Sequence, residues 1–205
     1  MKSNGGLKLF LPGIIVHEYE CSANQVHRMY YIYKVKDDTI MKIGQYPSIS
    51  ELKAPPSKEF KKILGDEKLK EYYKAINLYN QGNGIGSFVY LRRILEHQIE
   101  AAHLDAVKNE ADWNEEAYGK SRMKEKIKLL SHFLPEFLIE NRNIYSILSL
   151  GVHELEEDEC LRFYNVMKSS IDVIVDEKIS KARKEKQKVN LMKEINKINQ
   201  HLSKK

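Results

Sequence analysis

"GNGIGSFVYLRRILEHQIEAAH", Gly82 to His103, decides the fold, because it reads either as a phosphate-cradling loop or as a turn followed by a packed helix. A P-loop needs Gly-x-x-x-x-Gly-Lys-Ser/Thr after a strand, and here no lysine follows the last glycine and a helix precedes it. The dinucleotide fingerprint Gly-x-Gly-x-x-Gly also follows a strand, and Gly82-x-Gly84-x-Gly86 has neither its spacing nor its neighbour. The glycines therefore read as a tight turn that lets helix backbones approach closely. At about 100° per residue, Phe88, Leu91, Leu95, Ile99 and Ala102 share one face and form the expected buried stripe. Arg92, Glu96 and His103 run along its flank, whereas Arg93 and His97 point nearly opposite to it.

The pattern extends outward in both directions. "SKEFKKILG" is a short helix with Ser57 as N-cap and Gly65 as stop, and "DEKLKEYYKAINLYNQG" follows with Asp66 as cap and Gly82 as terminator. After Gly84 to about Val107, "SRMKEKIKLLSHFL" is a fourth helix. Pro135 suits the first turn of a fifth, "PEFLIENRNIYSILSL", which Gly151 ends. A final helix starts near Leu155, with "ELEEDE" placing carboxylates at the positive end of its dipole. Cys160, Tyr164, Met167, Ile171, Ile174 and Ile179 keep helical spacing, and Val189, Met192, Ile195, Ile198 and Leu202 resume it farther on. A stripe this narrow and this long wants a partner helix.

Before Pro47 the character differs. "IIVHEYEC" and "VHRMYYIYKV" are rich in β-branched and aromatic residues, and "KDDT" is a hairpin turn into "IMKIG". "GQYPS" and "KAPPS" then punctuate the chain through Pro47, Pro55 and Pro56. The expected architecture is mainly α: a helical bundle with a small N-terminal antiparallel β element and a long C-terminal helix. The divisions are residues 1–50 for the β element, 51–180 for the bundle core and 181–205 for a basic helical extension.

The 205 residues suffice for one good core with appendages, and 42% apolar against 31% charged residues places the chain among folded proteins. Two cysteines, Cys21 and Cys160, are too few for a disulfide framework. The opening "MKSNGGLKLFLPGIIVHEYE" lacks the h-region of a signal peptide, and no stretch has the roughly 18 to 20 apolar residues of a membrane span. The expectation is a cytoplasmic protein that does not enter the membrane. The net charge of +5 is unevenly spread: Lys178–Lys205 carries ten Lys/Arg against two Glu, which leaves the rest at −3. Lys181, Arg183, Lys184, Lys186 and Lys188, with Arg93 and His97 elsewhere, are the candidate binding residues for nucleic acid or an acidic partner.

Three stretches, "KIGQYPS" (Lys42–Ser48), "GIGSFVYLRRILE" (Gly84–Glu96) and "LSLGVHEL" (Leu148–Leu155), span about half the chain. In this order they resemble a family of uncharacterised bacterial proteins. That family is similar to the HEPN-like helical domains that accompany restriction, toxin-antitoxin and other phage-defence systems. The resemblance implies a bundle whose suspected site joins an arginine on a core helix to a histidine at a later helix junction. Carried over, these are Arg92 or Arg93, the following carboxylate Glu96, and His153. Arg92-x4-His97 superficially fits the Arg-x4–6-His signature of HEPN ribonucleases, but on a regular helix its members diverge by about 140°. His153 instead lies beside the last helix, whose N-terminus disfavours imidazolium while Glu154, Glu156, Glu157 and Asp158 favour it.

Two function classes follow. One is a non-enzymatic helical module of a defence or toxin-like system that binds protein or nucleic acid, often as a dimer. The other is a metal-independent ribonuclease, with histidine moving protons during attack by the ribose 2′-hydroxyl and arginine stabilising charge on phosphate. The lack of a converging Arg-x4–6-His pair favours the first and leaves enzymatic status open. Relatives in the family often carry a cysteine-rich, zinc-ribbon-like segment before "KIGQYPS". This chain offers only His17, Cys21 and His27 there, one short of the usual four ligands, so the expectation is no metal and no cofactor.

Overall fold

The N-terminal residues pair into a three-stranded antiparallel meander: β1 (Gly13–Cys21), β2 (Asn24–Lys36) and β3 (Thr39–Tyr46), in the order β1-β2-β3. These strands belong to a computed structural model that describes residues 12–36, 39–48 and 57–203. In the β1–β2 register His17 lies opposite Tyr31 and Ile15 opposite Tyr33, which puts those four on one face. Tyr19 meets Tyr31 edge-on with ring centroids 5.7 Å apart, and His17 meets Tyr33 at 5.9 Å. Cross-strand ring pairs of this kind explain why an aromatic-rich sequence forms a sheet rather than a helix. Asp37 and Asp38 of the expected "KDDT" turn lie outside the described residues, as do Pro55 and Pro56.

The chain divides into two compact units, Met1–Pro55 and Pro56–Lys205. Among the described residues of the second are seven helices: α1 (Lys58–Asn80), α2 (Gly84–Asn109), α3 (Glu115–Lys120), α4 (Met123–Leu129), α5 (Glu136–Glu140), α6 (Asn143–His153) and α7 (Glu157–Leu202). Helix α2 is the centre, packed by α1, α6 and α7. Phe88, Leu91, Leu95, Ile99 and Ala102 are all buried, as the stripe requires. Ile94 and Gln98 are buried too, so more of the α2 circumference is covered than one stripe would demand.

Several boundaries differ from the sequence reading, each for an identifiable reason. The two helices expected on either side of Gly65 form one element with a kink, because Gly65 takes φ +77° and ψ 163° and the helix resumes at once. The expected fifth helix is split between α5 and α6. Asn141 turns both its side-chain amide and its backbone N–H onto the Phe137 carbonyl, closing α5 after five residues. Gly151 does not end a helix. It lies buried inside α6, where Cβ of any other residue would come 2.1 Å from Cδ1 of Phe88. The short α3 escaped the sequence reading, although Asn114 caps it by accepting from the Ala117 N–H at 2.9 Å.

Helix α7 is unbroken from Glu157 to Leu202, 46 residues, or about 69 Å at 1.5 Å per residue. Its first half supplies Cys160, Tyr164, Met167, Ile171, Ile174, Val175 and Ile179 to the core. From residue 180 to 203 every residue is exposed. No helix among the described residues is long and apolar enough to cross a membrane.

Candidate functional site

Two glycine contacts bring α6, α7 and α2 together. At the start of α2, a Cβ on Gly84 would fall 2.7 Å from both the Glu157 carbonyl oxygen and the Leu161 nitrogen, so only glycine admits α7 there. The Glu157 carboxylate accepts hydrogen bonds from the Gly84 and Ile85 N–H groups, the latter at 3.3 Å. An anion at a helix N-terminus is favoured by the dipole and by the unpaired amides. The "GNGIG" turn thus does hold an anion, one supplied by its own chain. About one turn farther along α2, Phe88 packs against Gly151 of α6, and the Cys160 thiol of α7 donates to the Gly151 carbonyl at 3.3 Å.

This packing assembles four polar side chains. Arg92 Nε donates to Glu96 Oε1 at 2.9 Å, Nη2 donates to the Tyr145 hydroxyl at 3.1 Å, and Nη1 lies 3.3 Å from His153 Nε2. The Tyr145 hydroxyl donates onward to Glu96 Oε1 at 3.1 Å. A guanidinium can only donate, so the His153 contact requires Nε2 as acceptor and assigns the ring proton to Nδ1. Partial burial pulls the Arg92 pKa down, but Glu96 and Tyr145 outweigh it and leave the guanidinium held above its ordinary value. Desolvation, then Glu96, raises Tyr145, so its hydroxyl stays a donor at neutral pH. The quartet is half-buried at Arg92, Glu96 and Tyr145 and exposed at His153.

Of the residues singled out in the sequence, Arg92, Glu96 and His153 converge and the others go elsewhere. Arg93 pairs with the buried carboxylate of Glu71 at 2.6 Å, a group that also takes Lys68 at 3.1 Å. Its charge is committed to that buried carboxylate, although the Arg93 side chain itself stays exposed. His97 is exposed beside Lys68, Arg93 and Lys126, in a shallow groove that Glu96 also borders. Partial desolvation, then Lys68 and Lys178, lowers its pKa. It points about 140° away from Arg92 around α2 and does not join the quartet, although Glu96 borders both places. Arg183 reaches Glu59 at 3.2 Å and Lys188 reaches Glu185 at 3.8 Å, while Lys181, Lys184 and Lys186 have no ion-pair partner among the described residues.

Sequence reasoning missed Tyr145, which closes the quartet. Its only signal was a lone tyrosine in "NRNIYSIL" at a helical offset of eight from His153, which puts both on nearly one face of α6. Lys178 was missed as well. It is largely buried, donates to Gln98 Oε1 at 2.7 Å, and desolvation lowers its pKa to about 8. Among the described residues no three His, Cys, Asp or Glu side chains come together as a metal site, His17, Cys21 and His27 included. The chain matches no protein-family model, no curated protein and no solved structure.

The quartet satisfies itself. The lone pair that a histidine base would use to take a proton is occupied by Arg92. Three edges of the guanidinium that would clamp a phosphate are spent on Glu96, Tyr145 and His153. A nucleotide would have to displace these contacts before either group could act.

Proposed function

We propose that the chain is a non-enzymatic helical binding module of a bacterial defence or toxin-like system, engaging a second copy or another macromolecule through α7. One observation carries this reading. Beyond the bundle, α7 exposes Leu191 at 63%, Met192 at 64%, Ile195 at 54%, Ile198 at 58% and Leu202 at 60%, and apolar residues at helical spacing on a solvated helix call for a partner surface. In this reading the Arg92–Glu96–Tyr145–His153 quartet locks α6 onto α2.

The second reading, a HEPN-like ribonuclease, draws on the convergence of Arg92 and His153 at the protein surface. The experiment is incubation of the purified chain with total RNA and with tRNA, beside Arg92→Ala and His153→Ala variants. The binding reading expects no cleavage by any of the three. Cleavage by the wild type that both variants lose would refute it.

A further inference from the structure

One face of α7 continues past the bundle in three zones. Taking Leu191 as reference, Ile195, Ile198 and Leu202 fall within about 60° of one another, Lys181, Lys184 and Lys188 extend the same side, and Val173 lies five full turns below. The lowest zone is a groove between α7 and the turn joining α4 to α5, where Val173 faces Phe133, Leu134 and Pro135. The lysines line the upper part of that groove. Its acids are partly committed: Glu177 accepts the Phe137 N–H at 3.2 Å, and Glu185 pairs with Lys188. Glu136 and Asp176 remain beside the apolar floor. Residues 180–203 hold seven Lys/Arg against Glu185 and Glu194, a net of +5.

Resting on the binding-module reading, we infer that the occupant of this face is an acidic amphipathic helix from a different protein. It lays apolar residues on Leu191, Ile195, Ile198 and Leu202 and carboxylates opposite Lys181, Lys184 and Lys188. Charge selects it over a second copy. Two α7 helices pairing in parallel would set these lysines against their own copies, and like charges facing across a helical seam repel. An antiparallel pair likewise lays residues 180–203 of one copy, net +5, along the same net +5 of the other, again setting like charges together. The stripe also selects a helix over nucleic acid, because a phosphate backbone has nothing apolar to lay on four exposed aliphatic side chains.

The test uses the full chain and a labelled synthetic helix of about four heptads, with Leu at a and d and Glu at e and g, read by fluorescence anisotropy at low and high salt. The expected result is one peptide per chain, with affinity falling at high salt. Binding should weaken at least tenfold in the Lys181→Glu/Lys184→Glu/Lys188→Glu variant and, separately, in Ile195→Asp/Ile198→Asp. All these positions lie outside the buried core, so thermal melting of the variants should match wild type. Failure of the peptide to bind, equal binding by a peptide with Lys at e and g, or indifference to the lysine reversal would overturn the inference. Sedimentation showing a stripe-dependent homodimer, or lysine-dependent binding of a poly-uridine oligomer without binding of the peptide, would overturn the acidic helix and leave the binding module standing. Absence of all three interactions would overturn both.

Discussion

Replacing Gly151 with alanine places a methyl carbon 2.1 Å from Cδ1 and 2.7 Å from Cε1 of Phe88. Ordinary carbon contacts begin near 3.5 Å, so the ring or the helix has to move by more than 1 Å. Phe88 is fully buried and cannot swing into solvent. Forcing extra carbon into a packed core costs about 1–3 kcal/mol, and this overlap belongs at the upper end. Alanine recovers roughly 1 kcal/mol over glycine inside a helix, which leaves a net loss of about 2 kcal/mol. For a chain of this size that is a fall in Tm of about 4–8 °C. The assay is reversible thermal or urea unfolding of Gly151→Ala, Phe88→Leu and the double variant. Because the added methyl meets the ring that leucine shortens, the two changes should couple by at least about 1 kcal/mol. Wild-type or raised stability in Gly151→Ala, or strict additivity, would show that α6 does not depend on this contact.

Other outcomes follow from the same geometry. Lys178 has a folded pKa of about 8 against about 10.4 in an unfolded chain, so the unfolded state binds more protons across that window and stability rises with pH from 8 to 10.4. Wild type should gain on the order of 1–3 kcal/mol relative to Lys178→Met between pH 7 and pH 10; a pH-independent difference in urea midpoint would contradict the buried placement. Tyr145→Phe removes the hydroxyl shared by Arg92 and Glu96 and should cost roughly 0.5–1.5 kcal/mol, with no loss expected if the quartet does not form in solution. A thiol reagent should label exposed Cys21 rapidly in the native protein. It should spare Cys160, which is buried and whose pKa is raised by desolvation, then by Glu157 and Glu159; equal labelling rates would refute the burial.

What the sequence disclosed was whatever repeats along one element. The α2 stripe and the exposed run on α7 were legible because burial on one helix face leaves a 3.6-residue period, and the strands because aromatic and β-branched residues cluster. What stayed hidden depends on packing between elements. Gly151 read as a helix stop because glycine is common past a helix end, whereas its use here is to admit the Phe88 ring from a helix some sixty residues earlier. The convergence of Arg92 with His153 was foreseen as a question of neighbouring helices, but the role of Tyr145 was not. Glu71, a buried carboxylate between Lys68 and Arg93, could not be told from the exposed glutamates around it, since its neighbours on α2 lie more than twenty positions away.

The absence of a side chain at Gly84 and Gly151 has a consequence for how this protein can diverge. The frame that brings α2, α6 and α7 together rests on backbone passing close to backbone or ring at these two positions, while the polar character of the place lies in Arg92, Glu96, Tyr145 and His153. Position and chemistry are therefore inherited through different residues. A descendant that keeps both glycines can exchange the quartet for another set of side chains and inherit the same spacing, whereas one that keeps the quartet and loses a glycine inherits the chemistry without the place to carry it out.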